Sequence, residues 1–192
     1  MTTQYDQYYK TENLFGEPSK ELLNFFRSKD PNSTVIDIGC GQGRDAIAVG
    51  RLGFKVIGVD NSKTGIEQLN VVAKNEGLNV TGMVGNMFNL DGLNEFDFFI
   101  LDSMFHFTTK DREKEVKFLK SLLSESKPGA EFVICNQNTG DKCKTIVETF
   151  LEEKNAKLKL EQEFEYIFTD SETNHQSTTP YKLLVFEKLR LT

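Results

Sequence analysis

The 192 residues carry a net charge of −6 at pH 7 and an isoelectric point near 5.1, a balance that argues against nucleic acid or a membrane surface as partner. Hydrophobic residues make up 38%, with sixteen Phe and only four Pro, which excludes a disordered chain and suits one domain over residues 1–192. Cys40, Cys135 and Cys143 have neither an even number nor metal-ligand spacing, so neither a disulfide framework nor a metal site is expected; without an apolar leader or span, the chain reads as cytoplasmic.

Residues 1–30 form a tyrosine-bearing leader (Tyr5, Tyr8, Tyr9) and then a helix that starts near Pro18 and carries Leu22, Leu23, Phe25 and Phe26. Short apolar runs at 34–38, 55–59, 79–84, 96–101 and 130–135 read as strands. Helices fall between them: one starting near Arg44, one with Ile66, Leu69, Val72 and Ala73 on a face, and one with Val116, Leu119, Leu122 and Leu123 before Pro128 and Gly129. Residues 140–192 add a helix marked by Ile146, Val147, Phe150 and Leu151, then strands at 157–169 and 181–189 around a polar loop, 171–180. Single helices between strands imply right-handed crossovers. The expected fold is α/β: a doubly wound, seven-stranded, mostly parallel sheet with an antiparallel C-terminal hairpin and helices on both faces.

The chemistry concentrates where the first strand meets its turn, Val35-Ile36-Asp37-Ile38-Gly39-Cys40-Gly41-Gln42-Gly43. Glycines there let the backbone turn sharply and approach a ligand at the carboxyl edge of the sheet. A dinucleotide fingerprint needs Gly at the sixth position, where this chain has Arg44, so a nicotinamide-dependent oxidoreductase is disfavoured. The second strand closes on Val56-Ile57-Gly58-Val59-Asp60-Asn61-Ser62, where Asp60 suits two roles, an acceptor for ribose hydroxyls or a cap on the next helix.

Together these motifs resemble class I S-adenosylmethionine-dependent methyltransferases, from residue 35 to residue 129 by motif and to the end by strand order. The resemblance implies S-adenosylmethionine as cofactor. It implies that Asp37 helps hold the methionine amino group, that Gly39, Gly41 and Gly43 line the methionine and sugar, and that Asp60, with Asn61 beside it, takes the ribose. Asn86 matches the residue that receives the adenine amino group, Met87 a wall of the ring, and Asp102 the end of the fourth strand beside the reactive end. The tyrosine-rich leader, with Asn13-Leu14-Phe15-Gly16-Glu17-Pro18, resembles the lid of small-molecule members, above all the tellurite-resistance type and related thiol or metalloid methyltransferases. In that lid Tyr9 would close over the acceptor.

His106, just past the fourth strand, suits a general base or a ring packed between Phe105 and Phe107, while His175 belongs to the polar loop. The segment Asp102-Ser103-Met104-Phe105 lacks the Asn-Pro-Pro-Tyr turn of members that methylate amide or exocyclic nitrogens. The expectation is in-line methyl transfer to a small molecule, with no metal. A non-catalytic S-adenosylmethionine-binding regulator is the alternative.

Overall fold

The computed structural model describes Tyr9, Thr11, Leu14 and residues 16–169 and 176–190. Seven strands form one sheet in the order β3-β2-β1-β4-β5-β7-β6, where β1 is Thr34–Ile38, β2 Lys55–Asp60, β3 Val80–Val84, β4 Phe98–Asp102, β5 Glu131–Gln137, β6 Ala156–Thr169 and β7 Gln176–Lys188. Neighbours from β3 to β5 pair in parallel, and β7 runs antiparallel to both β5 and β6.

The near-continuous apolar strands are those of a sheet covered on both faces. On one face, α1 (Lys20–Arg27), α2 (Arg44–Arg51) and α3 (Lys63–Glu76) bring Leu22, Phe26, Val49, Ile66 and Leu69 onto Val35, Ile100 and Val133. On the other, α4 (Arg112–Glu125) and α5 (Lys142–Glu152) bring Leu119, Leu122, Ile146 and Phe150 onto Ile36, Phe99, Phe132 and Phe186. The Phe99 and Phe132 rings stack at 4.8 Å. Truncating a buried Phe of this kind costs about 3–5 kcal/mol.

Local chemistry sets the helix ends. Ser19 and Ser62 each accept a hydrogen bond from the third residue beyond, Leu22 N at 3.2 Å and Gly65 N at 3.1 Å. Each satisfies a backbone donor that the first helical turn leaves unpaired. Gly77 closes α3 in the left-handed conformation, φ 66°.

The expected strands form, with ends shifted by no more than two residues, except at the C-terminal hairpin. Residues 176–180, expected in the polar loop, are strand: Gln176 to Pro180 pair with Thr169 to Glu165. The Ser, Thr and Pro composition suggested a turn, but Pro180 lies one residue beyond the β5 ladder, which ends at Gln137 opposite Tyr181. Its missing N–H therefore interrupts nothing on that side. The far half of the hairpin thus projects past the carboxyl edge of the parallel strands. Tyr5, Tyr8, Asn13, Phe15 and His175 lie outside the described residues.

Candidate active site

Strand order reverses between β1 and β4, which opens a crevice at their carboxyl ends. A cavity of about 1270 Å³ occupies it, larger than the roughly 300–1,000 Å³ of a single-ligand pocket. The turn after β1 forms its floor. Gly39 N and Cys40 N both donate to Val59 O, at 2.7 and 3.2 Å, and Gly43 N donates to Cys40 O at 2.8 Å. The backbone is left-handed at Gly39, Gly41 and Gly43. At Gly39 a Cβ would lie 2.8 Å from Met104 Cε, so a larger residue would strain the backbone and crowd the cavity wall.

Asp60 ends β2 with its carboxylate bridging two backbone donors, Gly41 N at 3.0 Å and Ser62 N at 2.7 Å. The helix cap is Ser62, so the capping role considered for Asp60 falls to its neighbour. Asp60 instead ties the glycine turn to the end of β2 and still lines the cavity, as do Asn61, Asn86 and Met87. Asn86 Oδ1 accepts from Phe88 N at 3.0 Å and starts the short 3-10 turn Met87–Asn89. Met87 packs partly against the core.

Asp37 is buried beneath the turn, and among the described residues its Oδ2 has no hydrogen-bond partner. Burial pushes its carboxyl well above the ordinary range, Asp45 adds to the rise, and Arg44 opposes it. An unpaired buried oxygen costs about 1–3 kcal/mol until a donor reaches it. A ligand ammonium group would supply one and restore the ionised form.

Arg44 organises this corner. Its Nε and Nη2 grip both oxygens of Asp45 at 3.0 and 2.8 Å, and Nη2 also meets Asp102 Oδ2 at 2.7 Å. Its Nη1 lies 3.4 Å from Tyr166 Oη, which donates to Glu17 O at 3.0 Å. The hairpin and the N-terminal segment therefore meet across the cavity. Asp102 Oδ1 accepts from Ser103 Oγ at 2.6 Å, and Ser103 Oγ lies 3.0 Å from Tyr181 Oη. Burial raises the Asp102 carboxyl to about 6 against the opposing charge of Arg44.

The N-terminal segment is fastened by two glutamines. Gln42 accepts from Leu14 N at 2.9 Å and donates to Thr11 O at 2.8 Å and to Gln68 Oε1 at 2.7 Å, while Gln68 donates to Tyr9 O at 2.8 Å. Tyr9 is buried and lines the cavity. His106 is exposed and also lines it. The packed alternative for His106 does not hold, because Phe105 and Phe107 stack on each other at 5.7 Å and Glu115 fixes the segment by accepting from the backbone N–H of His106 and Phe107.

The cavity thus gathers every candidate residue: Asp37, the three glycines, Asp60, Asn61, Asn86, Met87 and Asp102, with Tyr9 and His106. Sequence reading passed over Gln42, Gln68, Ser103, Tyr166 and Tyr181, and used Arg44 only to exclude a dinucleotide. Polar side chains at alternate hairpin positions, Tyr166 and then Ser177, Thr179 and Tyr181, were the available signal for a lined face. Among the described residues no group of three or more His, Cys, Asp or Glu side chains is arranged to hold a metal, and no helix is long and apolar enough to cross a membrane.

Residues 29–187 match the sequence model of a family described as methyltransferase domain. A 2-heptyl-1-hydroxyquinolin-4(1H)-one methyltransferase of Mycobacteroides abscessus is 27% identical over 121 residues, 62% of this chain and 52% of that protein. The probable S-adenosyl-L-methionine-dependent methyltransferase TehB of Haemophilus influenzae is 25% identical over 108 residues, 56% of this chain and 37% of that protein. The match with these curated relatives spans about half of their length or less. The crystal structure of TehB from Haemophilus influenzae superposes with a TM-score of 0.71 at 18% identity, covering 96% of this chain and 65% of that one. A protein solved in work on the conversion of a disulfide bond into a thioacetal group during echinomycin biosynthesis superposes with a TM-score of 0.78 at 19% identity, covering 96% and 91%. At such identities the superpositions establish the fold.

Proposed function

The chain belongs to the family of methyltransferase domains, whose cofactor is S-adenosylmethionine, and from that premise we propose that it methylates a small molecule bound in the cavity. The observation that carries the reading is Asp37 Oδ2, buried beneath the glycine turn and unpartnered among the described residues. It is the acceptor that an amino-acid ammonium group requires. The remaining candidates fit the same ligand: Gly39, Gly41 and Gly43 leave room for its methionine and sugar, Asp60 and Asn61 lie where ribose hydroxyls need acceptors, and Asn86 and Met87 flank the base. When bound, the cofactor supplies an electrophilic methyl on a sulfonium, and transfer is an in-line displacement.

What the protein then contributes is orientation and exclusion of water. Tyr9, held by Gln68 over the glycine turn, closes one side. Tyr166 on the hairpin, joined to Glu17, closes the other. His106, exposed on the cavity wall, is one candidate for a base where the acceptor needs one. A small acceptor fits a cavity covered from two sides, and the 2-heptyl-1-hydroxyquinolin-4(1H)-one methyltransferase among the relatives supports a hydroxylated ring as acceptor.

Calorimetric titration tests the reading. Binding of S-adenosylmethionine and its demethylated product, with none of the nicotinamide cofactors, is the expected outcome and justifies screening hydroxylated heterocycles and thiols. Absence of binding by both would overturn it. Binding without turnover of any acceptor would favour the regulatory alternative.

A further inference from the structure

We propose that Tyr181, Ser103 and Asp102 form a relay that removes the proton from a weakly acidic hydroxyl of the acceptor, so that the substrate class is a neutral phenol-like or N-hydroxy compound; the inference rests on the methyltransferase reading. Ser103, the residue after β4, is left-handed with φ 58°, a conformation costing a non-glycine residue about 1–3 kcal/mol that persists only where surroundings enforce it. Here Ser103 N donates to Cys135 O at 2.8 Å, and the side chain is bonded at both ends.

The direction of the chain follows from donor counts. Ser103 has one hydroxyl proton, and an ionised Asp102 can only accept, so that proton points to Asp102 Oδ1 at 2.6 Å. The contact of 3.0 Å to Tyr181 is then filled by the Tyr181 proton. Gln137 lies opposite Tyr181 in the β5–β7 ladder, and its side-chain oxygen accepts from Lys142 Nζ at 3.1 Å. A phenol oxygen can accept while its own proton is donated, and Tyr181 lines the cavity, so its oxygen is the receiving end of the relay.

The step balances. The acceptor hydroxyl gives its proton to Tyr181 as its oxygen pair attacks the methyl carbon. Tyr181 passes its own proton to Ser103, and Ser103 passes its own to Asp102 Oδ1. The carbon–sulfur bond breaks with its pair going to sulfur, which becomes neutral, and the proton rests on Asp102. Its Oδ2 keeps Arg44, whose charge remains balanced by the two-point grip on Asp45. No proton leaves the site, and its net charge before transfer is unchanged: a phenolate replaces an aspartate.

Every element around Asp102 bears on this. Asp37 of β1 and Asp45 of α2 disfavour the ionised form, while Arg44 of α2 favours it. Cys135 of β5 is a buried thiol whose ionisation burial itself opposes, and Tyr166 of β6 and Tyr181 of β7 are phenols pushed up by burial. Asp45 and Asp102 share the one guanidinium of Arg44, and Asp37 is taken by the ligand's ammonium, so two carboxylates face one cation where the acceptor enters. An acceptor that arrives neutral and sheds its proton inside is therefore preferred over a thiolate or a metalloid oxyanion.

The test uses the full chain saturated with S-adenosylhomocysteine and 4-nitrophenol as probe, because its phenolate absorbs visible light and its phenol does not. On binding, ionisation of the probe should shift to lower pH, because Tyr181 donates a hydrogen bond to the phenolate oxygen once the proton has moved along the relay. Tyr181→Phe and Ser103→Gly, the latter chosen because glycine accepts the left-handed backbone, should abolish the shift. With S-adenosylmethionine they should lower kcat by roughly 10²-fold with little change in KM, and the rate should recover at a pH where the free probe is itself ionised. A shift surviving both substitutions, a shift lost only in His106→Ala, or no binding of the probe would each overturn the relay. Calorimetry records separately whether S-adenosylhomocysteine binds, and its failure would overturn the methyltransferase reading and the relay with it.

Discussion

Tyr9 Oη stands 2.6 Å from the point where a Cβ on Gly41 would lie, and at Gly41 φ is 53°. Gly41→Ala therefore meets two obstacles, a left-handed backbone costing about 1–2 kcal/mol and displacement of the ring. The expected outcome is a lower denaturation midpoint together with weaker cofactor binding. Pairing it with Tyr9→Ala separates the two, since only the steric part is relieved; the double-mutant cycle should give a coupling of at least about 0.5 kcal/mol. Additive effects would mean that Tyr9 moves aside without resistance.

Asp37 separates stability from binding. Its buried carboxyl lacks a partner on Oδ2 among the described residues and is held well above its ordinary range by burial, with Asp45 adding to the effect. Asp37→Asn mimics the neutral carboxyl that burial favours, so the ligand-free protein should keep its melting temperature within about 2–4 °C of the parent, roughly 1 kcal/mol. The same change removes the acceptor proposed for the ligand's ammonium, and calorimetry should show weakened S-adenosylmethionine binding. A variant that binds as tightly as the parent would take Asp37 out of the site.

Asp60 carries a double duty, because its carboxylate holds Gly41 N and Ser62 N while lying where ribose hydroxyls are proposed to bind. Asp60→Ala should weaken cofactor affinity by about 1–3 kcal/mol through loss of a charged acceptor. Asp60→Asn keeps one amide oxygen, so it should fall between the two. Equal affinity in all three proteins would leave Asp60 as a strut of the turn alone.

His106 is exposed on the cavity wall with its backbone pinned by Glu115, so its ring can change without disturbing the core. His106→Ala should leave the denaturation midpoint within about 0.5 kcal/mol of the parent, as surface substitutions do. Any loss of turnover then reports on the acceptor. Measured on one hydroxyl and one thiol acceptor, equal retention of rate would end its candidacy as a base.

The floor of the site was legible because a strand, a glycine turn and an acid closing the next strand form a local pattern, and Asp37, Gly39 and Asp60 sit within it. The acceptor side was not. Tyr166 and Tyr181 reach the cavity only because the hairpin outruns the sheet, and that follows from pairing between residues 165–169 and 176–180, which polar composition concealed. Ser103 gave no sign either, since its left-handed backbone is imposed by contacts with Cys135 and Tyr181, both distant in sequence. Composition and periodicity register which face a strand buries; they carry no record of which side chains converge from separate strands.

Asp102 gives the pH dependence of stability a definite sign. Its carboxyl is raised by burial to about 6 despite Arg44 at 2.7 Å, whereas in the unfolded chain it titrates near the ordinary value of about 3.9. Between those values the folded state holds a proton that the unfolded state has released, so unfolding free energy falls as pH rises across the window. Asp37, shifted in the same direction, adds to the slope. Urea midpoints recorded from about pH 4 to pH 7 should decline for the parent protein, and the decline should be shallower in Asp102→Asn. Arg44→Gln should carry the Asp102 contribution to higher pH, because the charge that favours the carboxylate is gone. If the parent's midpoint instead rises across the window and Asp102→Asn removes the rise, the Arg44 ion pair outweighs the cost of burial, and Asp102 would be too weak a base to retain the acceptor's proton.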